Sequence, residues 1–169
     1  MKPTPIIVDI TQNLPPSTAL DIGCGNGRNA IYLDNIDWTV TALDQNPTAL
    51  PQSIRFVHTT LDSFNETSQY DLVMCLMMLH FSPDSHTVKR SIQKLKNYTK
   101  PLGTLVVSVF TDQNSHSVRP YLFAKDELLA FFTDWTVIRN EYELAQPIID
   151  NGESVRYYVQ RIVVRKSGG

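Results

Sequence analysis

Three glycines, at positions 23, 25 and 27, directly follow a short apolar run that ends in Asp21 and Ile22. Glycine permits a tight turn and a close backbone approach to a ligand, and a helix starting after Gly27 would point its N–H groups into the same site. A dinucleotide fingerprint would require glycine at position 28, which is Arg28. A carboxylate beside the loop repels a pyrophosphate but suits an ammonium group or a bound water. The loop therefore predicts a nucleotide-like ligand without a pyrophosphate at Asp21.

Two further carboxylates stand at later positions where predicted strands end. Asp44 ends the second predicted strand and could accept both hydroxyls of an adenosine ribose. Asp62 follows Leu61 in the loop after the third strand, and it could accept a hydrogen bond from an adenine amino group. Each signal is weak alone, but in order at successive strand ends the three predict a nucleotide-like cofactor site.

The elements that must position these residues alternate between short β-branched runs and helical stretches. This alternation predicts an α/β fold, a mostly parallel sheet with helices on both faces. Helices are expected from Arg28, over 85–97 and over 125–132, and a turn signal is expected at 150–153. Strands are predicted at 18–21, 38–44, 54–58, 70–76, 102–110, 135–143 and 155–165. The last two should form an antiparallel hairpin that completes a seven-stranded, Rossmann-like sheet in a single domain, 1–169.

The connection between the second and third predicted strands is unusually short. It comprises residues 45–53 and contains Pro47 and Pro51. Because a parallel crossover with its helix normally takes at least about 10–12 residues, we expect at most a single helical turn there.

Composition excludes several classes of function. A net charge of −2 and a pI near 6.0 provide no basic surface for nucleic acid or an anionic membrane. No apolar run approaches a membrane span, and the N-terminus lacks the apolar core of a signal peptide. Cys24 and Cys75 cannot build a disulfide framework, which predicts reduced thiols in a cytoplasmic protein. The four histidines and two cysteines lack metal-ligand spacing, so no metal is expected.

The stretch from Ala19 to Pro47 resembles class I S-adenosylmethionine-dependent methyltransferases. The run Gly25-Asn26-Gly27-Arg28-Asn29 and the 123–128 segment make it similar, more narrowly, to the TehB-like tellurite-resistance branch. With matching segments at 70–74 and 98–103, the resemblance covers nearly the whole chain from residue 18. It implies a Rossmann-like methyltransferase that uses S-adenosyl-L-methionine, releases S-adenosyl-L-homocysteine and acts on a small molecule. A monomer and a homodimer are both left open, because the thin sheet edge at 47–51 and an open cofactor site would tolerate a dimer.

The resemblance also implies roles for individual residues. The methionine part of the cofactor would lie against the acid and the glycine loop, the ribose against the second strand end, the adenine against the next loop, and the sulfonium above the fourth strand. The implied residues are Asp21, Gly23, Cys24, Gly25 and Asn26 for the methionine part; Asp44 for the ribose; Gln45, Leu61 and Asp62 for the adenine; and Cys75 and Leu76 for the sulfonium.

The chain departs from this branch in two places. Relatives usually carry a longer N-terminal helical segment, whereas here only residues 6–14 are expected to form a helix before the motif. Relatives also tend to carry a His-Arg pair before the final hairpin turn, where this chain reads Leu-Ala-Gln-Pro-Ile-Ile at 144–149. The acceptor is therefore left open between an oxyanion of tellurium or selenium, a thiol and a small aromatic molecule.

Methyl transfer from a sulfonium depends mainly on positioning and desolvation, and it needs a base only if the acceptor must lose a proton. His80, just beyond the fourth strand, is the candidate base; the alternative is a histidine packed at the strand-to-helix loop. The candidate acceptor-binding residues are Arg28, His116 and Arg119. The alternative interpretation is a structural role at the helix start for Arg28 and an exposed loop for His116 and Arg119. Met74, Met77 and Met78 could form a soft acceptor surface or simply belong to the core.

Two competing functions follow from the same residues. A binding or regulatory module could keep the fold and bind S-adenosylmethionine without efficient turnover, which would agree with the short N-terminus and the reduced crossover. A nicotinamide-dependent oxidoreductase is disfavoured by the missing glycine at position 28 and by the terminal hairpin.

Overall fold

A mixed β-sheet forms the centre of the structure, a computed structural model that describes residues 1–113 and 119–169. Its strands and those of a small hairpin are β1 (Thr18–Ile22), β2 (Thr39–Asp44), β3 (Arg55–His58), β4 (Tyr70–Leu76), β5 (Thr99–Phe110), β6 (Thr136–Leu144), β7 (Ile148–Asp150), β8 (Glu153–Val155) and β9 (Tyr158–Arg165). The seven-stranded sheet has the order β3-β2-β1-β4-β5-β9-β6. Strands β1 to β5 are all parallel to one another, and β9 runs antiparallel to its neighbours β5 and β6. The predicted α/β fold is confirmed.

The helices are α1 (Pro5–Thr11), α2 (Arg28–Asp34), α3 (Ser85–Tyr98) and α4 (Glu127–Ala130), with a 3-10 turn at Leu79–Phe81. Helix α3 begins at Ser85 because the Asp84 carboxylate caps it, accepting from the Thr87 amide at 2.7 Å. Helix α4 is shorter than the predicted 125–132. It cannot begin earlier because Asp126 has a left-handed backbone, with φ of +63°.

Alternation along the strands divides the core into two layers. Leu20 and Ile22 of β1 face the layer that also holds Val88 and Leu95 of α3, whereas Ala19 faces the layer shared with α1 and α2. No helix occupies residues 45–54, as the short connection predicts. The β2–β3 side of the sheet is therefore thinly covered.

The region before β9 departs from the prediction of one long strand at 155–165. Residues 148–155 instead form a separate hairpin of β7 and β8. The strand pairing is interrupted at Tyr157, whose buried ring stacks on Phe110 with centroids 4.2 Å apart. Burying this ring takes the chain out of the strand geometry, and a small apolar cluster then ties the hairpin to the end of β5.

At the amino ends of the strands, Asp71 fixes β1 against β4 and β5. Its Oδ2 accepts from the hydroxyls of Ser17 and Thr18, each at 2.6 Å, and from Lys100 Nζ at 2.7 Å. Burial alone would raise the pKa of Asp71, but these hydrogen bonds together hold it well below its usual range. This clamp sets the positions of the strands whose opposite ends form the site.

Candidate functional site

The glycine loop between β1 and α2 is fastened to the end of β2 by backbone hydrogen bonds. The amides of Gly23 and Cys24 donate to the Leu43 carbonyl at 2.8 and 3.0 Å. Gly23, Gly25 and Gly27 have φ of +69°, +56° and +78°, a region that other residues rarely adopt. The loop therefore depends on glycine for its shape.

Asp44, at the end of β2, closes the loop from the other side. Its Oδ2 accepts from the Gly25 amide and its Oδ1 from the Asn46 amide, both at 2.8 Å. Each carboxylate oxygen has two lone pairs, so Oδ2 can accept a further hydrogen bond from a ligand. The position suits the hydroxyls of a ribose.

Asp21 lies behind the loop in a different environment. It is 3% exposed, and its Oδ2 has no hydrogen-bond partner among the described residues. Burial raises the pKa of Asp21 to about 7, against the lowering effects of a hydrogen bond from the Ala30 amide and of the Arg28 charge. An unpaired buried acceptor of this kind suits a ligand that brings a donor or a positive charge.

A cavity of about 520 Å³ opens beside the loop at the carboxyl ends of the parallel strands. Residues that follow β2 and β3 supply most of its polar groups, whereas residues after β4 supply two methionines, a phenylalanine and a proline. The lining residues are Gly23, Leu43, Asp44, Gln45, Asn46, Thr59, Thr60, Leu61, Met77, Met78, Phe81, Ser82, Pro83 and Thr87. A Cβ added to Gly25 would meet no atom within 4 Å, so the loop backbone is also open. We call Met77, Met78, Phe81 and Pro83 the β4 wall.

The predicted cofactor residues fall into three groups. Gly23, Asp44, Gln45 and Leu61 line the cavity. Asp21, Cys24, Gly25 and Asn26 belong to the glycine loop or its base, and burial raises the pKa of Cys24 to about 12. Asp62, Cys75 and Leu76 are not among the described lining residues.

These last three residues have other surroundings. Asp62 is exposed and pairs with Arg90, its Oδ1 lying 2.8 Å from Nε. Cys75 is fully buried in the core, where burial raises its pKa far above the usual range. Leu76 is half-buried and packs with the layer that holds α1 and α2. A cofactor contact for any of them stays a prediction.

His80 lies in an aromatic stack. Its ring is stacked on Phe110 with centroids 4.1 Å apart and contacts Phe81 at 4.6 Å. Its Nδ1 accepts from the Phe110 amide at 3.4 Å, and the residue is 1% exposed. His80 is not among the described residues that line the cavity. This arrangement matches the packed alternative, and a base role for His80 stays a prediction.

The candidate acceptor residues are placed unevenly. The Arg119 guanidinium lies 4.7 Å from the centroid of the Phe81 ring, so it is close to the β4 wall. Arg28 is exposed at the start of α2 and lines a separate 130 Å³ hollow near Met1 and Pro3. His116 lies outside the described residues.

The residues that sequence reasoning underweighted are those just after β4. Met74 is core, whereas Met77 and Met78 line the cavity. Met77 has a left-handed backbone, with φ of +58°, and its amide donates to the Ser108 carbonyl at 2.9 Å and to its hydroxyl at 3.2 Å. Such strain in a residue other than glycine persists only where its surroundings enforce it. The sequence signals for these residues are the methionine side chains themselves and a position at a strand end facing the glycine loop.

Within residues 1–113 and 119–169, no helix has the length and apolar character needed to cross a bilayer. The same residues bring together no group of three metal-ligating side chains.

Comparison with known proteins gives concordant matches. The family model described as tellurite resistance protein TehB matches residues 4–157. A protein of Haemophilus influenzae is named probable S-adenosyl-L-methionine-dependent methyltransferase TehB, and it is 24% identical to this chain over an alignment of 179 residues. The alignment covers 95% of this chain and 61% of that protein. This chain therefore spans about 61% of that relative's length.

Solved structures agree with the fold. The crystal structure of TehB from Haemophilus influenzae superposes with a TM-score of 0.83 at 21% identity, covering 97% of this chain and 62% of that one. The N-methyltransferase NodS of Bradyrhizobium japonicum, solved in complex with S-adenosyl-L-homocysteine, superposes with a TM-score of 0.75 at 17% identity, covering 95% and 84%.

Proposed function

This chain belongs to the TehB family of tellurite resistance proteins, and from that premise we propose that it transfers a methyl group from S-adenosyl-L-methionine to a small molecule. The observation that carries the proposal is the glycine loop, which is tied to Asp44 and opens into a 520 Å³ cavity. The related methyltransferase names and the bound S-adenosyl-L-homocysteine of NodS support the same cofactor.

The residues of the site fit this cofactor. The unpaired Oδ2 of Asp21 is suited to the amino end of the methionine part, directly or through water. The open backbone at Gly25 leaves room for a ligand where a side chain would intrude. Asp44 would accept from the ribose hydroxyls, and Gln45 and Leu61 would line the adenine. The resemblance adds Asp62 to the adenine and Cys75 and Leu76 to the base of the site.

When bound, S-adenosyl-L-methionine supplies a methyl group on a positively charged sulfur, ready for in-line displacement. The chain then has to hold the acceptor in line and exclude water. The β4 wall provides the apolar surface for both tasks. His80, packed in its stack, supports the shape of this wall through its neighbour Phe81.

Among the candidate acceptors we favour a thiol over an oxyanion of tellurium or selenium. The β4 wall consists of two thioethers, a phenyl ring and a proline ring, which pack well against the hydrocarbon body of a thiol. A thiol has a pKa of about 8.5 and is partly ionised near neutral pH, so its proton can leave to water without a base from the protein. Arg119, close to Phe81, is the candidate group for an acceptor that also carries an anionic substituent.

The direct experiment incubates the purified chain with S-adenosyl-L-methionine and, in separate reactions, an aliphatic thiol, an aryl thiol, tellurite and selenite. Mass spectrometry should detect methylated thiols, formed faster than methylated oxyanions. Faster methylation of tellurite would overturn the preference for thiols but keep the enzyme class. Cofactor binding without transfer to any acceptor in a wider panel would contradict the enzyme and favour a binding module.

A further inference from the structure

The Lys94 side chain of α3 ends among oxygen atoms of a loop that borders the cavity. Its Nζ donates to the carbonyls of Leu61, Asp62 and Phe64 at 2.9, 2.5 and 2.9 Å, and to Asn65 Oδ1 at 3.0 Å. An ammonium group has three donor hydrogens, so they are shared among four acceptors. The contacts are charge-assisted and hold one compact turn.

That turn is a single helical turn without a continuing helix. The Phe64 amide donates to the Thr60 carbonyl at 2.9 Å, and the Ser63 amide donates to the Thr60 hydroxyl at 3.2 Å. The last carbonyls of a helical turn have no partner within it. Lys94 supplies that partner from another element, 30 residues away from Phe64.

Two neighbours of Lys94 on α3 grip the same loop. Arg90, Lys94 and Tyr98 are spaced four residues apart and so form one stripe along the helix. Arg90 pairs with the Asp62 carboxylate, and the Tyr98 hydroxyl donates to the Phe64 carbonyl at 2.6 Å. The Arg90 pair is exposed on both sides and contributes little. Lys94 and Tyr98 are the members that fix the loop.

The loop held in this way contributes Thr60 and Leu61 to the cavity, next to the residues that end β2. We propose that Lys94 is a positioning residue for cofactor recognition: it holds the 59–65 loop so that Thr60 and Leu61 stay on the side of the cavity proposed for the adenine. This inference rests on the proposed function, because it assigns the loop to the adenine.

A purely structural role would give a different result. Leu61 and Phe64 are buried at 5% and 3% exposure in the same apolar layer, so they anchor the loop without Lys94. The ammonium group of Lys94 instead fixes the positions of the loop carbonyls. It thereby fixes the part of the loop backbone that borders the cavity. Its loss should change ligand affinity and base selectivity more than folding.

The test uses the whole chain and compares wild type, Lys94→Met, Lys94→Arg and the control Lys89→Met. Lys89 is exposed on the same helix. Calorimetry measures the Kd for S-adenosylhomocysteine and for its inosine analogue, well below the melting temperature of each variant, and thermal unfolding is followed without ligand. Lys94→Met should raise the Kd for S-adenosylhomocysteine by about tenfold and reduce the preference over the inosine analogue. Lys89→Met should match wild type.

Lys94→Arg keeps the charge, but a planar guanidinium cannot centre one nitrogen among four oxygens, so we expect an intermediate Kd. If Lys94→Met is unstable, Lys94→Arg provides a folded variant for the same measurement. Unchanged Kd and selectivity in the Lys94 variants, with only a lower Tm, would overturn the positioning role. Wild type that binds neither ligand would instead refute the proposed cofactor, a failure visible before any variant is compared.

Discussion

Asp21 and Asp44 both end or nearly end strands beside the glycine loop, yet their surroundings give them different properties. Asp44 is satisfied by the amides of Gly25 and Asn46, which fix it as an acceptor at the cavity. Asp21 is buried with an unpaired Oδ2, and burial raises its pKa to about 7. One acid therefore shapes the loop, while the other is left poised for a positively charged or donating ligand.

The raised pKa of Asp21 predicts a pH-dependent stability. Because the folded protein holds this proton more tightly than the unfolded chain, the stability that Asp21 confers is present below pH 4 and is lost as the pH rises towards 7. Asp21→Asn cannot ionise, so its Tm measured without ligand should fall less than that of wild type between pH 4 and 7. The difference corresponds to a few kcal/mol at most, and parallel Tm curves for the two proteins would contradict it.

The aromatic stack of Phe81, His80, Phe110 and Tyr157 joins three parts of the fold. Phe81 and His80 belong to the 3-10 turn after β4, Phe110 ends β5, and Tyr157 leads into β9. The stack thus connects the β4 wall with the β7–β8 hairpin through ring contacts 4.1 to 4.6 Å apart. We interpret His80 as one layer of this stack.

This interpretation predicts the behaviour of His80→Phe. The phenyl ring keeps the stacking but removes the Nδ1 acceptor of the Phe110 amide, which costs about 1 kcal/mol. The Tm should fall by a few degrees, and the pH profile of methyl transfer between pH 6 and 8 should keep its shape. His86→Phe, at an exposed position of α3, is the matched control. A large loss of rate in His80→Phe, with Tm preserved, would show that His80 is the base.

In the molecule as a whole, the features that depend on residues close together in sequence could be predicted from the sequence. The positive-φ loop was visible as alternating glycines, and the parallel strands as β-branched runs with carboxylates at their ends. What the sequence did not show depends on contacts between distant segments. Asp62 pairs with Arg90, 28 residues away, and the strand expected from 155 breaks because Tyr157 packs on Phe110. The late start of α4 depends on one left-handed residue, Asp126.

We tie the binding of S-adenosylmethionine to the glycine loop, and calorimetric binding of S-adenosylhomocysteine to three proteins tests this claim. Gly25→Ala and Gly152→Ala both place a side chain at positive φ where no atom lies within 4 Å, so each should lose about 1–2 kcal/mol of stability. Only Gly25 lies in the proposed site. We predict that wild type and Gly152→Ala bind with similar Kd, whereas Gly25→Ala binds at least about tenfold more weakly. Equal binding by Gly25→Ala, or no binding by wild type, would contradict the claim.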